Sequence, residues 1–152
     1  MGRVRARQSR KARRRRQSPV VLIRACRRLT VPARKLVSTA RRVYAGEGVQ
    51  SSQRTHVILC SDRTIHRLNA AFRHVDRATD VLSFNYDEPG LLGEVYISLE
   101  RAAVQARRYG HAYADEMQRL LVHGLMHLLG HDHERPGERR RMEAAESKYC
   151  RV

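Results

Sequence analysis

The run MQRLLVHGLMHLLGHDH, from Met117 to His133, restricts this chain more than any other stretch. Between Met117 and Leu129 apolar residues recur at helical spacing, and so densely that the segment reads as a central core helix. His123 and His127 stand four positions apart, which places both imidazoles on one helix face a turn from each other. Two imidazoles so placed can share one metal ion. Gly130, just past the helix end, allows a left-handed residue that turns the chain. That turn can bring His133 back as a third nitrogen ligand. Three protein ligands with an open fourth position form the layout of a catalytic metal site, because the open position holds a water that the metal acidifies. The competing reading is a plain core helix whose histidines are hydrogen-bonded. Each buried imidazole then needs a polar partner of its own, a demand that a shared ion removes.

A chain of 152 residues is sized for one domain with a real core. Its charge is lopsided, with 31 Lys and Arg against 15 Asp and Glu, a formal net charge of +16. Nine of the basic residues lie between Arg3 and Arg16, where there is no acid, and the remainder is still basic in its own right. Such a balance points to a polyanionic partner, nucleic acid before an anionic membrane surface, with plain solubility as the other explanation. Cys26, Cys60 and Cys150 make an odd set without a CxxC pair, which argues against a disulfide scaffold and fits a reducing, cytoplasmic setting. A thiolate metal site is not expected either. Tryptophan is absent and there are two Phe, so base stacking on an aromatic platform is not the expected mode of nucleic-acid contact.

Taken in order, residues 1–18 form an arginine-rich arm expected to be disordered, with residues 19–152 as the domain. The arm lacks the apolar region of a secretory signal, and it reads as an RNA- or ribosome-adhering tail or as an over-extended start. No stretch approaches the length needed to span a bilayer. Pro19 to Cys26 reads as a first strand. Thr30 is a candidate N-cap for a helix with Pro32 in its first turn, ending near Gly46. Thr55 to Cys60 is a second strand, followed by a helix capped by Ser61 or Asp62 with Ile65, Leu68 and Phe72 facing inward. Arg73 to Arg77 is a polar connection, Val81 to Phe84 a short strand, Pro89-Gly90 a turn and Gly93 to Ser98 the next strand. Leu99 to Arg108 is a helix closed by Gly110, and Asp115-Glu116 place acid at the positive end of the His helix. Glu138 to Tyr149 form a charged terminal helix. The sum predicts an α+β domain: a small mixed sheet of about four strands packed with about five helices, the metal-binding helix central. Strand order is not readable from the pattern.

His123-Gly-Leu-Met-His127-Leu-Leu-Gly-His-Asp-His133 resembles the signature of the YbeY family of metal-dependent, single-strand-specific endoribonucleases that mature rRNA. The resemblance extends to Leu68-Asn69 with Arg73, to Thr79-Asp80-Val81-Leu82-Ser83-Phe84, and to Leu92-Gly93-Glu94-Val95-Tyr96-Ile97-Ser98, covering about Val20 to Cys150. It implies one Zn²⁺ held by His123, His127 and His133, with His127 and Arg73 as catalytic residues and Arg73 engaging RNA phosphate. It also implies rRNA precursors, the ribosome or ribosomal proteins as partners, a role in rRNA processing and ribosome quality control, and no membrane. Read without the resemblance, Arg73 is an ordinary exposed loop arginine. Two positions depart from the family's common pattern: His131 stands where Tyr is usual, and Asn85 where Pro is usual. His131 therefore competes with His133 for the third ligand place, and the motif's spacing favours His133.

Zinc peptidases with an HExxH helix carry Glu directly after the first His as general base, and this chain has Gly124 there. That speaks against peptide hydrolysis. Glycine inside a helix costs about 1 kcal/mol against alanine, so a close approach of a strand or loop is the expected reason for it. Phosphodiester cleavage asks for a metal and a cation, which three histidines and Arg73 could supply. The general base is open among the metal-activated water, Asp80 and Glu94. Asp132 and Asp80 are candidates to orient a ligating imidazole. A ribosome-associated assembly factor with a structural metal shares all these features and stands as the alternative reading, with a zinc metallopeptidase behind it.

Overall fold

THVILC is apolar on both faces, so the strand it forms belongs in the middle of a sheet with helices on either side. The structure, a computed structural model, describes residues 17–131 and 135–150. Four strands, β1 (Val20–Arg24), β2 (Arg54–Cys60), β3 (Val81–Glu88) and β4 (Leu91–Ser98), form one sheet in the order β1-β2-β4-β3. β2 is parallel to both β1 and β4, while β3 is antiparallel to β4. This mixed order places β2 and β4 centrally and leaves β3 on an edge. Pro89 and Gly90 join β3 to β4; proline presets the first corner, and Gly90 at φ 84° takes the second.

The helices are α1 (Ala33–Gly46), α2 (Asp62–Arg73), α3 (Leu99–Tyr109), α4 (Tyr113–Leu128) and α5 (Pro136–Tyr149). The period of two along the strands divides the core. Val57, Leu59, Val95 and Ile97 pack on one face of the sheet with α1, α3, α4 and α5. Ile58, Cys60 and Leu82 pack on the other face with Ile65 of α2. α4 is the most buried helix: Met117, Leu120, Leu121, Val122 and Leu125 are all fully enclosed. Each such side chain contributes about 1.5–3 kcal/mol of burial, so the helix that carries the histidines is also the one the core is built on. Among the described residues no helix is long and apolar enough to cross a membrane.

The α+β expectation holds, with adjustments at element ends. Thr30 is not the cap of α1; Pro32 occupies that position and no side chain caps it. Proline carries no N–H and its φ of −77° already leads into the helix, so the helix starts later than the Thr30 signal suggests. α5 likewise starts at Pro136 and not at Glu138. β1 is shorter than Pro19 to Cys26. β3 runs on to Glu88, because its polar outer end still pairs with β4. Arg73 is not loop: it is the last residue of α2, where its charge faces the negative end of the helix dipole. Phe72 lies on the expected stripe of α2 but is 65% exposed, because the sheet ends at β3 beneath it.

The glycine within the His helix has the reason expected of it. A Cβ on Gly124 would sit 2.5 Å from Val95 Cγ1 and 3.2 Å from both Ser83 Oγ and Val81 Cγ2. The Ser83 hydroxyl donates to the Gly124 carbonyl at 3.0 Å, which ties α4 to the edge strand at the point of closest approach. Two effects therefore oppose each other in Gly124→Ala: a gain of about 1 kcal/mol in helix propensity and an overpacking cost of about 1–3 kcal/mol. The clash involves stiff β-branched side chains of the sheet, so overpacking wins. Thermal unfolding of Gly124→Ala should be lowered by a few degrees, at about 2–4 °C per kcal/mol for a domain of this size. An unchanged or raised Tm would mean that the sheet yields freely.

Candidate active site

Local rules set the first two site residues. α4 ends in a Schellman motif: the Gly130 N–H reaches the His127 carbonyl at 3.0 Å and the His131 N–H reaches the Met126 carbonyl at 3.1 Å. Gly130 takes the required left-handed conformation at φ 92°. The motif fixes the last helical turn, and so fixes the direction of His127. His123 and His127 then face each other, Nε2 to Nε2 at 3.2 Å, with ring centroids 4.8 Å apart. Two nitrogens bound at about 2.0–2.1 Å to one tetrahedral ion stand about 3.3 Å apart. The pair is therefore spaced as a shared zinc ion would require.

His123 is oriented from behind. Its Nδ1 lies 2.8 Å from Glu146 Oε1 on α5, and both side chains are about one-fifth exposed. A carboxylate only accepts, so Nδ1 carries the proton and the lone pair of Nε2 is directed into the site. Glu146 Oε2 in turn lies 3.9 Å from the Arg119 guanidinium, whose other nitrogen pairs with the buried Glu116 at 2.6 Å. Burial works against the Arg119 charge, but Glu116, Glu146 and Asp80 outweigh it and hold its pKa above the ordinary value. Glu146 is the residue that sequence reasoning missed. No local pattern marks it, since it meets His123 only because α5 packs back along α4.

The two imidazoles open on a cleft of about 290 Å³ that crosses the edge strand between α4 and the connection after α2. Asn69, Arg73, Arg77, Asp80 and Ser83 line it together with His123 and His127. The structure thus brings Arg73 into the same cleft as the histidine pair, across the sheet edge. The turn that delivers it is held by the buried Asn69: its amide donates to the Arg77 carbonyl at 2.9 Å, and its own carbonyl accepts from the Val75 N–H. His74 completes the turn in the left-handed region at φ 55°. Arg73 itself is exposed and makes no side-chain ion pair or hydrogen bond among the described residues.

Two of the candidate carboxylates are otherwise engaged. Asp80 lines the cleft, but Oδ1 accepts from the Val81 N–H at 2.9 Å and Oδ2 from the Gln105 amide at 3.2 Å, so it braces the start of β3. Glu94 lies on the other side of the sheet, where Oε2 accepts from the hydroxyls of Tyr96 at 2.9 Å and Tyr86 at 3.1 Å. Burial and this carboxylate push the Tyr96 phenol up to about 12. His131 contributes its backbone to the helix end and is not among the cleft-lining residues. His133 and Asp132 lie outside the described residues, as do residues 1–16 of the basic arm. Among the described residues no group of three possible ligands stands together.

The fold and the cleft define an α+β domain with a paired-imidazole site on a buried helix beside an edge strand. Within that class the chain belongs to the endoribonuclease YbeY family, whose model matches residues 26–151. It is 45% identical over 121 residues to an endoribonuclease YbeY of Myxococcus xanthus, covering 75% of this chain and 41% of that protein. To that of Anaeromyxobacter dehalogenans it is 43% identical over 124 residues, covering 79% and 64%. To that of Chloroflexus aggregans it is 41% identical over 130 residues, covering 78% and 85%. The match thus spans less than two thirds of the first two relatives. The solution structure of TM1509 from Thermotoga maritima superposes with a TM-score of 0.59 at 26% identity, covering 86% of this chain and 87% of that one.

Two of the cysteines sit where burial disfavours the thiolate. Burial, with the neighbouring Cys26 and Asp62 charges, pushes the Cys60 thiol up to about 12. Burial and Glu146 push that of Cys150 up to about 11. At about pH 8 only roughly one Cys150 thiol in a thousand is then ionised, against about one in four for an ordinary exposed thiol. The folded protein should alkylate slowly at Cys60 and Cys150, Cys150 gaining about tenfold in rate per pH unit below 11, whereas denatured chain labels at once. Rapid labelling of Cys150 in the native protein near neutral pH would contradict this environment.

Proposed function

We propose that this chain is a metal-dependent, single-strand-specific endoribonuclease of rRNA maturation, acting in the cytoplasm on ribosomal precursors. The observation that carries the reading is the meeting of the His123–His127 pair and Arg73 in one cleft, in a chain of this family. His123 and His127, joined by His133 on the motif's spacing, are the residues that would hold zinc. Bound there, zinc would supply Lewis acidity and the activation of water.

The chain's own residues do the rest. The Arg73 guanidinium takes a phosphate oxygen pair and offsets charge that develops as the phosphodiester opens, a planar grip that an ammonium does not reproduce. Asn69 keeps that guanidinium at the cleft by holding the turn behind it. Glu146 keeps the Nδ1 proton of His123, so the imidazole cannot swing away. Asp80 and Glu94, engaged as they are, leave no carboxylate of the described cleft poised to abstract a proton. Peptide hydrolysis is disfavoured because the position after His123 is Gly124, packed against Val95, with no space for a Glu side chain.

The test couples metal content to cleavage of a single-stranded RNA. Wild type should carry close to one zinc and cleave; His127→Ala should lose both. Arg73→Glu should keep metal and thermal stability, since exposed substitutions usually shift stability by about 0.5 kcal/mol or less, yet lose cleavage by orders of magnitude, with Arg73→Lys recovering part. Cleavage that survives metal removal would overturn the reading. Metal removal that melts the fold without a separable activity would favour an assembly factor with a structural ion. Residues 1–18 supply affinity to this activity and not chemistry, because nine positive charges with no acid among them suit counterion release from phosphates. Deleting them should weaken RNA binding and flatten its salt dependence while the rate at saturating RNA stays. A large fall in that saturated rate would place the arm in the chemistry.

A further inference from the structure

Beside the cleft, three aromatic residues, including both Phe of the chain, form one row. Phe72, the penultimate residue of α2, meets Phe84 of β3 edge to face, with centroids 5.4 Å apart at 65°. Phe84 meets Tyr96 of β4 in the same way, at 5.8 Å and 82°. The inner two rings are packed against the smaller core, so the row is anchored from below. Phe72 ends the row with 65% of its surface open to solvent. Both Phe residues of the chain are thus spent on a ring held in fixed orientation at the surface, not on the main core.

Its surroundings say what it faces. Arg73, the next residue, lines the cleft, and so does Ser83, the neighbour of Phe84. Arg73 and Arg77, both lining the cleft, are exposed and make no side-chain ion pair or hydrogen bond among the described residues. Of the acids in the same stretch, Asp62 is held by Ser98 at 2.6 Å and Arg101 at 3.1 Å, while Asp76 contacts His66 at 2.7 Å and stays exposed, one carboxylate against the two arginines. The patch therefore offers one exposed aromatic ring next to the guanidinium groups of Arg73 and Arg77, a net positive edge. An apolar protein partner would leave those cations desolvated and unmatched. An unpaired nucleobase attached to its phosphates satisfies both: the ring stacks and the phosphates meet the arginines.

Resting on the proposed ribonuclease reading, we infer that Phe72 is a nucleobase-stacking subsite for single-stranded RNA, adjoining the phosphate grip of Arg73. The sequence argued against stacking because Trp is absent and Phe is rare; the fold sets both Phe residues in one row with Tyr96. The subsite also gives a reason for preferring single strands, since a base in a duplex presents no open face to the ring.

The chain has no tryptophan, so Phe72→Trp makes a single fluorescent reporter in the full-length, metal-loaded protein. On mixing, and before turnover, single-stranded RNA should quench its emission. A fully abasic ribose-phosphate strand of the same length, or a blunt duplex, should not. In binding assays Phe72→Ala and Phe72→Leu should weaken single-stranded RNA on the order of tenfold or more, with Phe72→Tyr within about twofold of wild type. Binding of the abasic strand should be indifferent to all three. If wild type binds RNA but the tryptophan is not quenched, or if Phe72→Leu binds as wild type does, the subsite is wrong and the ribonuclease reading stands. If wild type binds no RNA at all, both fall.

Discussion

The approach of α4 to the sheet at Gly124 is the contact on which the rest depends. A side chain there would strike Val95 and press on Val81 and Ser83, so only glycine lets the helix settle with its carbonyl against the Ser83 hydroxyl. That depth brings His123 and His127, on the flank of the same helix, up to the lip of β3. A helix standing farther off would still bury its leucines against the central strands, but its imidazoles would face solvent with nothing opposite. The residue that excludes a peptidase's base from the chain is the same one that seats the helix. Packing and chemistry are here one constraint.

Around that contact the site is held by partners that lie far apart in sequence. α5 contributes Glu146 to His123, α2 delivers Arg73 through the turn that Asn69 holds, and β3 gives the floor. Glu116 and Arg119 extend the Glu146 contact one further step along α4. With His123 pinned at Nδ1 and His127 in a Schellman-capped last turn, the pair keeps few rotamers, so little ordering remains to be done when a ligand arrives.

What was legible in the sequence is what local rules decide. The spacing of His123 and His127, the left-handed turn at Gly130 and the Pro89-Gly90 corner each depend on a few neighbouring residues, and each stands as read. Gly124 was legible as an anomaly, because a helix interior does not keep glycine without cause. The residues that escaped are those whose role depends on what lies across from them. Glu146 looks like any charge on a polar helix until α5 folds back on α4. Phe72 fits the inward stripe of α2, and only the strand order shows that it meets an edge strand, where most of the ring stays open. Glu94 and Asp80 are carboxylates in a suggestive motif, yet alternation along β4 sends the first to the wrong side, and the Val81 N–H claims the second. Thr30 lost its place to a proline, whose fixed φ outweighs a capping side chain two residues away.

The position of β3 carries one more consequence. The imidazoles come from a helix on one face of the sheet and the arginine from a helix on the other, and the strand between them in the cleft is β3, an edge strand paired only with β4. A strand hydrogen-bonded along one side opens at lower free energy than the strands enclosed on both. Warming should therefore separate the two halves of the site while β2 and β4, enclosed on both sides, still hold the main core together. Such a protein would fall silent before it melts, and its working range would be set by the fraying of one hairpin.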